Sequence, residues 1–166
     1  QAGVTQALLG HIGQLPLARS FGLIPRGDFG LGLTNDETAA ELARLGFASA
    51  TASFESRLAQ IRDLSKPLDL ELLVYGRLPL MLMEHCILRN RGQGCHCQDK
   101  PQSLGDRKGE HFPVESAWGC RNELFNAKPL WLADKTDWRT AGAAYARLAF
   151  LREGPGECAR VFRAYR

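Results

Sequence analysis

The chain has no run of apolar residues approaching the roughly 20 needed to cross a bilayer, and its start lacks the basic-then-apolar pattern of a secretory leader. It begins with Gln1, and Val4 to Gly10 reads as the middle of a structural unit, so a fragment or processed piece is expected. The cysteine count is odd, five in all, which argues against a disulfide framework and for metal or redox chemistry in a reducing, cytoplasmic setting. There is no H-E-x-x-H helix, no G-x-S-x-G elbow and no cysteine in a local protease signature, so the familiar peptidase machineries are not legible. Disorder and low complexity are excluded by the balance of 45% hydrophobic and 23% charged residues. Charge of one sign is also scarce, at +3 net, although from Arg139 onward six arginines face only Glu153 and Glu157. That basic end reads more simply as solvated helix surface than as a phosphate site.

What is present is a βα rhythm. At 166 residues one domain, 1–166, is expected. Strands are expected at Val4–Gly10, Phe29–Thr34, Phe47–Ser53 and Leu70–Tyr75, each followed by a helical or loop segment, over a repeat region 1–80. Asn35-Asp36 is a capping signal for the helix beginning near Glu37. Leu70–Tyr75 is apolar nearly throughout, as expected of a parallel strand covered on both faces by helices. After an insertion at 81–128 the rhythm resumes over 129–166. A strand is expected at Leu130–Ala133, a helix at Thr136–Arg147, a strand at Leu148–Arg152 and a closing helix at Pro155–Tyr165. Short strands alternating with helices imply parallel pairing, and so an α/β barrel or open sheet.

The insertion holds the chemistry. Cys86, Cys95, Cys97 and Cys120 are spaced C-x8-C-x-C-x22-C and follow the strongest strand at its carboxyl end, where parallel α/β folds bind ligands. Four thiolates can close a zinc site or hold an iron-sulfur cluster. Structural zinc sites usually pair two C-x2-4-C knuckles, so this spacing favours a cluster, with structural zinc as the alternative. Removing the metal should loosen the segment. Arg89, Arg91 and Arg107 are basic neighbours suited to offset a cluster's negative charge. His85, His96 and His111 lie close in sequence but are each weak candidates. Cys158, with Val161 and Phe162 on its helix face, reads as a core thiol.

Several flanking segments carry a family resemblance. They are Asp28-Phe29-Gly30-Leu31 ahead of Asn35, Val74-Tyr75-Gly76-Arg77-Leu78-Pro79-Leu80-Met81, Glu84-His85-Cys86 and Cys95-His96-Cys97. Asp106-Arg107-Lys108-Gly109, Phe112-Pro113-Val114, Cys120-Arg121 and Leu124-Phe125-Asn126 continue the series. Together they resemble the collagenase-like peptidases of family U-32, in the same order, over roughly Gly27 to Tyr165. One asparagine usual in that family is replaced here by Gly32.

The resemblance implies the carboxyl-terminal portion of a TIM-like barrel bearing a cysteine-rich insertion after a central strand. A complete barrel typically needs about 250 residues. It also implies that Cys86, Cys95, Cys97 and Cys120 hold a cluster, a four-iron four-sulfur one by preference. The family name states a peptidase, while several members look like iron-sulfur proteins that support hydroxylation of RNA bases or of a quinone precursor. Asn35, Tyr75, Arg77, Glu84 and Arg107 are the substrate-binding candidates. The expected partners are RNA or a small aromatic substrate, and either the rest of the barrel or a second copy of the chain.

Overall fold

The computed structural model describes residues 3–89, 101–135 and 137–166. It divides into two compact units. Unit 1 comprises Gln1–Val74, Leu132–Leu148 and Ala159–Arg166, and unit 2 comprises Tyr75–Trp131 and Ala149–Cys158. No helix among the described residues is long and apolar enough to cross a membrane.

Unit 1 is built on a curled parallel half-barrel sheet. Strands β1 (Gln6–Leu9), β2 (Ile24–Gly27), β3 (Ser49–Thr51) and β4 (Asp69–Gly76) pair in parallel in that order, and β10 (Tyr145–Ala149) lies beside β4. Helices α1 (Leu15–Ser20), α2 (Asp36–Arg44) and α3 (Leu58–Asp63) follow the first three strands. Their apolar residues Leu15, Ala18, Ala39, Leu42 and Ile61 join Leu9, Ala50, Ala52, Leu70, Leu72 and Val74 of the sheet in one buried core. Each fully buried leucine, isoleucine or valine among them contributes about 1.5–3 kcal/mol. Helix α2 starts where expected, with the Asn35 side chain accepting the Thr38 amide at 2.8 Å as its cap. The closing helix, α4 (Pro155–Tyr165), also matches its expected span.

Three expectations are corrected. The second strand is Ile24–Gly27, whereas Phe29–Leu31 forms a 3-10 turn and Leu33 makes only a single bridge to Ala52. Pro25 hid this strand, since proline in a central strand ordinarily costs a ladder bond. Here the amides of Ile24 and Asp28 donate toward β1, so by alternation the proline nitrogen faces β3. Pairing with β3 starts only at Arg26 and Ser49, so no bond is lost. The helix expected at Thr136–Arg147 is a 3-10 segment, Asp137–Ala141, followed by β10; Thr136 itself lies outside the described residues. Gly142, at φ 73°, breaks the helical path between them.

The third correction concerns the sheet's faces. The main core cluster, with all three helices, lies on one face, and alternate positions on the other carry polar side chains in register up to Glu71, beyond which β4 is buried on both faces at Leu72–Tyr75. Arg26, Ser49 and Asp69 align across β2, β3 and β4, and Thr51 and Glu71 align two residues further on. Arg26 donates to Gln6 Oε1 at 2.6 Å and Ser49 Oγ at 2.8 Å and lies 5.0 Å over the Tyr145 ring, whose hydroxyl donates to Asp69. In the next layer Arg147 bonds Asp28 at 2.6 Å, Glu71 at 2.5 Å and the Thr51 hydroxyl at 3.0 Å. In the sheet order β10 and β2 are three strand spacings apart, roughly 14 Å if the sheet were flat. An arginine side chain cannot span that, so the contact requires the curl.

Arg147, Asp28 and Glu71 expose only 19%, 22% and 22% of their side chains. Arg147→Met would strand two carboxylates in a poorly hydrated site and is expected to cost about 3 kcal/mol or more, read by urea unfolding. Replacing all three together with Met, Asn and Gln should recover much of that loss.

Unit 2 contains an antiparallel sheet in the order β5-β8-β7-β6, formed by β5 (Pro79–Met83), β6 (Gln102–Gly105), β7 (His111–Ala117) and β8 (Arg121–Phe125). A two-residue strand, β9 (Leu130–Trp131), pairs antiparallel with Tyr75 and Gly76. The described flanks of the cysteine segment are therefore sheet rather than loop.

Candidate metal centre and the other polar cluster

Strand pairing in unit 2 places the outer two cysteines of the set. Met83 of β5 pairs with Asn122 of β8, and Ala117 of β7 pairs with Arg121. Cys86 lies three residues beyond Met83, and Cys120 lies two before Asn122, so both leave the sheet at the same end. Asn122 is fully buried and ties the two segments together: its Oδ1 accepts the Ile87 amide at 2.8 Å, next to Cys86, and its Nδ2 donates to the Arg121 carbonyl at 3.1 Å. Cys86 is buried and Cys120 exposed, and both are free thiols. Cys120 has φ 59°, an uncommon left-handed conformation for a residue with a side chain. Among the described residues no three potential ligands come together; Cys95, Cys97 and His96 lie outside the described residues. Two of the four expected ligands thus stand at one end of the unit 2 sheet, their segments linked by a buried amide.

The substrate-binding candidates are distributed differently. Asn35 is occupied as the α2 cap in unit 1. Tyr75 is a core residue of unit 2, packed on Trp131 and Phe150 at centroid distances of 5.8 and 5.4 Å, with its hydroxyl donating to Glu153 at 2.9 Å. The glycine after it, Gly76, has φ 139°, and the Ala149 carbonyl occupies the space a Cβ would take. Arg77 donates to the carbonyls of Asn126 and Ala127 and so holds the turn after β8. Glu84 pairs with Arg121 at 2.8 Å, an exposed bridge at the cysteine end of the sheet. Arg107 sits in the β6–β7 turn, where Asp106 Oδ1 accepts the Lys108 and Glu110 amides at 2.8 and 2.9 Å. This turn is at the opposite end of β7 from Cys120, roughly 20 Å away along a seven-residue strand. His111 opens β7 at that same far end, against Ser103. Cys158 lies on α4 with its thiol 3.6 Å from the Glu153 carbonyl, while Phe162 is exposed.

The residues missed in the sequence are Asp28, Thr51, Glu71 and Arg147. Their signal was present as polar residues at alternate strand positions: Arg26 and Asp28, Ser49 and Thr51, Asp69 and Glu71, Tyr145 and Arg147. The apolar residues between them dominated the strand signal.

Glu153 accepts a hydrogen bond from the Tyr75 hydroxyl. Burial pushes its carboxyl up, but the backbone amides around it and the Tyr75 hydroxyl outweigh that and hold it below the ordinary value. A lowered carboxyl contributes stability above the unfolded-state range and loses it as pH falls through the folded-state value. The stability gap between wild type and Glu153→Gln is therefore expected to be open at neutral pH and to close as pH drops below about 4, followed by urea unfolding at stepped pH.

Against protein-family models, curated proteins and solved structures, the chain finds no match.

Proposed function

We propose that Cys86, Cys95, Cys97 and Cys120 hold an iron-sulfur cluster, four-iron four-sulfur by preference, in a protein resembling peptidase family U-32. The reading is carried by one observation: two of these thiols, 34 residues apart in sequence, leave the sheet at the same end and are tied there by buried Asn122. A bound cluster supplies one-electron transfer, here toward hydroxylation or another redox modification of an RNA base or small aromatic substrate. The chain's own contribution is placement. Asn122 fixes the backbone beside Cys86, the β7–β8 turn presents Cys120, and the Glu84–Arg121 pair keeps a cation at the same end. Such a site suits a reducing cytoplasm.

Protein purified away from oxygen is expected to be brown, with iron and acid-labile sulfide in equal amounts. A colourless preparation with stoichiometric zinc would overturn the cluster in favour of a structural zinc site. Cys86→Ala and Cys120→Ala should each lose the metal, and unchanged metal content would show that the ligands lie elsewhere.

The half-barrel of unit 1 further reads as part of a TIM-like barrel. Its β1 edge and α1 expose Val4, Leu8, Leu17, Phe21 and Ile24, a surface that neighbouring βα units would cover in a complete barrel. The isolated chain is therefore expected to self-associate through this edge. A stable monomer across the micromolar range in sedimentation velocity would contradict this.

A further inference from the structure

Of the six arginines from Arg139 onward, most are engaged within the fold. Arg139 lies 4.6 Å over the Trp138 ring, Arg147 is held by Asp28 and Glu71, Arg152 pairs with Glu115, and Arg160 has a partner of its own. Arg163 and Arg166 form no ion pair or hydrogen bond among the described residues. Arg163 stands in the last turn of α4 and Arg166 just past its end. With Ala159 and Phe162 they fall on one helix face, at i, i+3, i+4 and i+7, and all four are exposed. Cations at a helix C-terminus complement its dipole. The dipole gives no reason for a phenylalanine that is 60% exposed beside them.

Unit 1 also carries a groove of about 460 Å³ beside α2. Its apolar lining is Ile12, Leu31, Leu42 and Leu45, and Glu37 and Glu41, one helical turn apart on α2, line it with carboxylates. Glu37 has no ion pair or hydrogen bond through its carboxylate among the described residues. Glu41 pairs with Arg44 of its own helix, an exposed bridge open to exchange. Two carboxylates against one arginine leave this stretch of α2 negative.

We propose that the groove receives the α4 stripe of a second copy of the chain, with Phe162 on the apolar lining and Arg163 and Arg166 against Glu37 and Glu41. The two surfaces match in three respects. An exposed aromatic meets an apolar groove, two cations meet two anions, and both charged pairs are spaced by about one helical turn. A buried aromatic anchor carries most of the energy of such a contact, and the charges set its register and its salt dependence. Groove and stripe are different surfaces, so the contact is heterologous, and it extends into longer assemblies unless its rotation closes. It uses neither the β1 edge nor the cysteine segment.

Sedimentation velocity of the full chain is expected to show self-association that weakens with added salt. Phe162→Ala should weaken it at least tenfold. Charge reversal tests the pairing itself. A chain carrying Glu37→Lys and Glu41→Lys, and another carrying Arg163→Glu and Arg166→Glu, should each associate at least tenfold more weakly than wild type, while an equimolar mixture of the two regains the loss. A mixture no tighter than either variant alone would overturn the proposal, as would a wild-type chain that stays monomeric. Association through the β1 edge does not read these charges, so equal constants in all preparations would place self-association there and overturn it too. Phe162-dependent binding to phosphatidylserine vesicles by a chain that stays monomeric would give the stripe to a lipid surface instead.

Discussion

One side chain reaching across a curved sheet organises unit 1. Arg147 comes from a strand near the end of the chain and contacts Asp28, Thr51 and Glu71, which come from three neighbouring strands. Burying three charged groups is expensive, and an apolar interior of similar volume would often be as stable or more so. Geometry is what the network supplies. A flat sheet would hold β10 out of reach of Asp28, so every conformation that keeps these bonds is curled to the same degree. The layer below repeats the device without a buried ion pair, with Arg26 laid over Tyr145 and the tyrosine bonded to Asp69. Core packing holds the helices to one face, and these two polar layers fix the curvature of the other.

Unit 2 solves a different problem. Its antiparallel sheet brings the Cys86 and Cys120 segments to one end through the β5–β8 pairing, and there a buried side-chain amide links them. Asn122 has no apolar reason to be buried, and its side-chain carbonyl and amide are both used on backbone groups of the two cysteine-bearing segments. A buried side-chain amide is tolerated only when its polar atoms are satisfied, so this position is intolerant of most substitutions. The same sheet separates groups that are neighbours in sequence order. Arg107 and His111 stand at one end, with Cys86, Cys120 and Glu84 at the other.

Much of the repeat was legible. The Asn35 cap, the Leu70–Tyr75 strand and the Pro155–Tyr165 helix stand where hydrophobic period and capping chemistry put them. The second strand was not legible because its proline is harmless only at a position where the neighbouring ladder has yet to begin, a fact of register. Tyr145 to Arg147 were read as helix and the strand was placed at Leu148–Arg152, three residues late, because Ala and Arg favour helix locally, whereas the alternation of Tyr145 and Arg147 onto a polar face is set by partners far away in sequence. The flanks of the cysteine segment looked irregular because an antiparallel sheet with one exposed face needs only weak alternation. Of the candidate site residues, the cysteines were visible as a spacing. Tyr75 and Arg77 were visible only as residue types, and their places, one in a core and one on turn carbonyls, come from tertiary contacts.

Asp28 and Arg147 are 119 positions apart. During synthesis β1 to β4 and their helices leave the ribosome well before β10, so the polar face of the sheet then still lacks Arg147, and the apolar face still lacks Trp138 and Ala141. At that stage Asp28, Asp69 and Glu71 repel one another across a sheet free to flatten. The final bend is thus a late, long-range event that waits for the end of the chain, and the rate of forming native unit 1 should be governed by that closure rather than by the local βα steps.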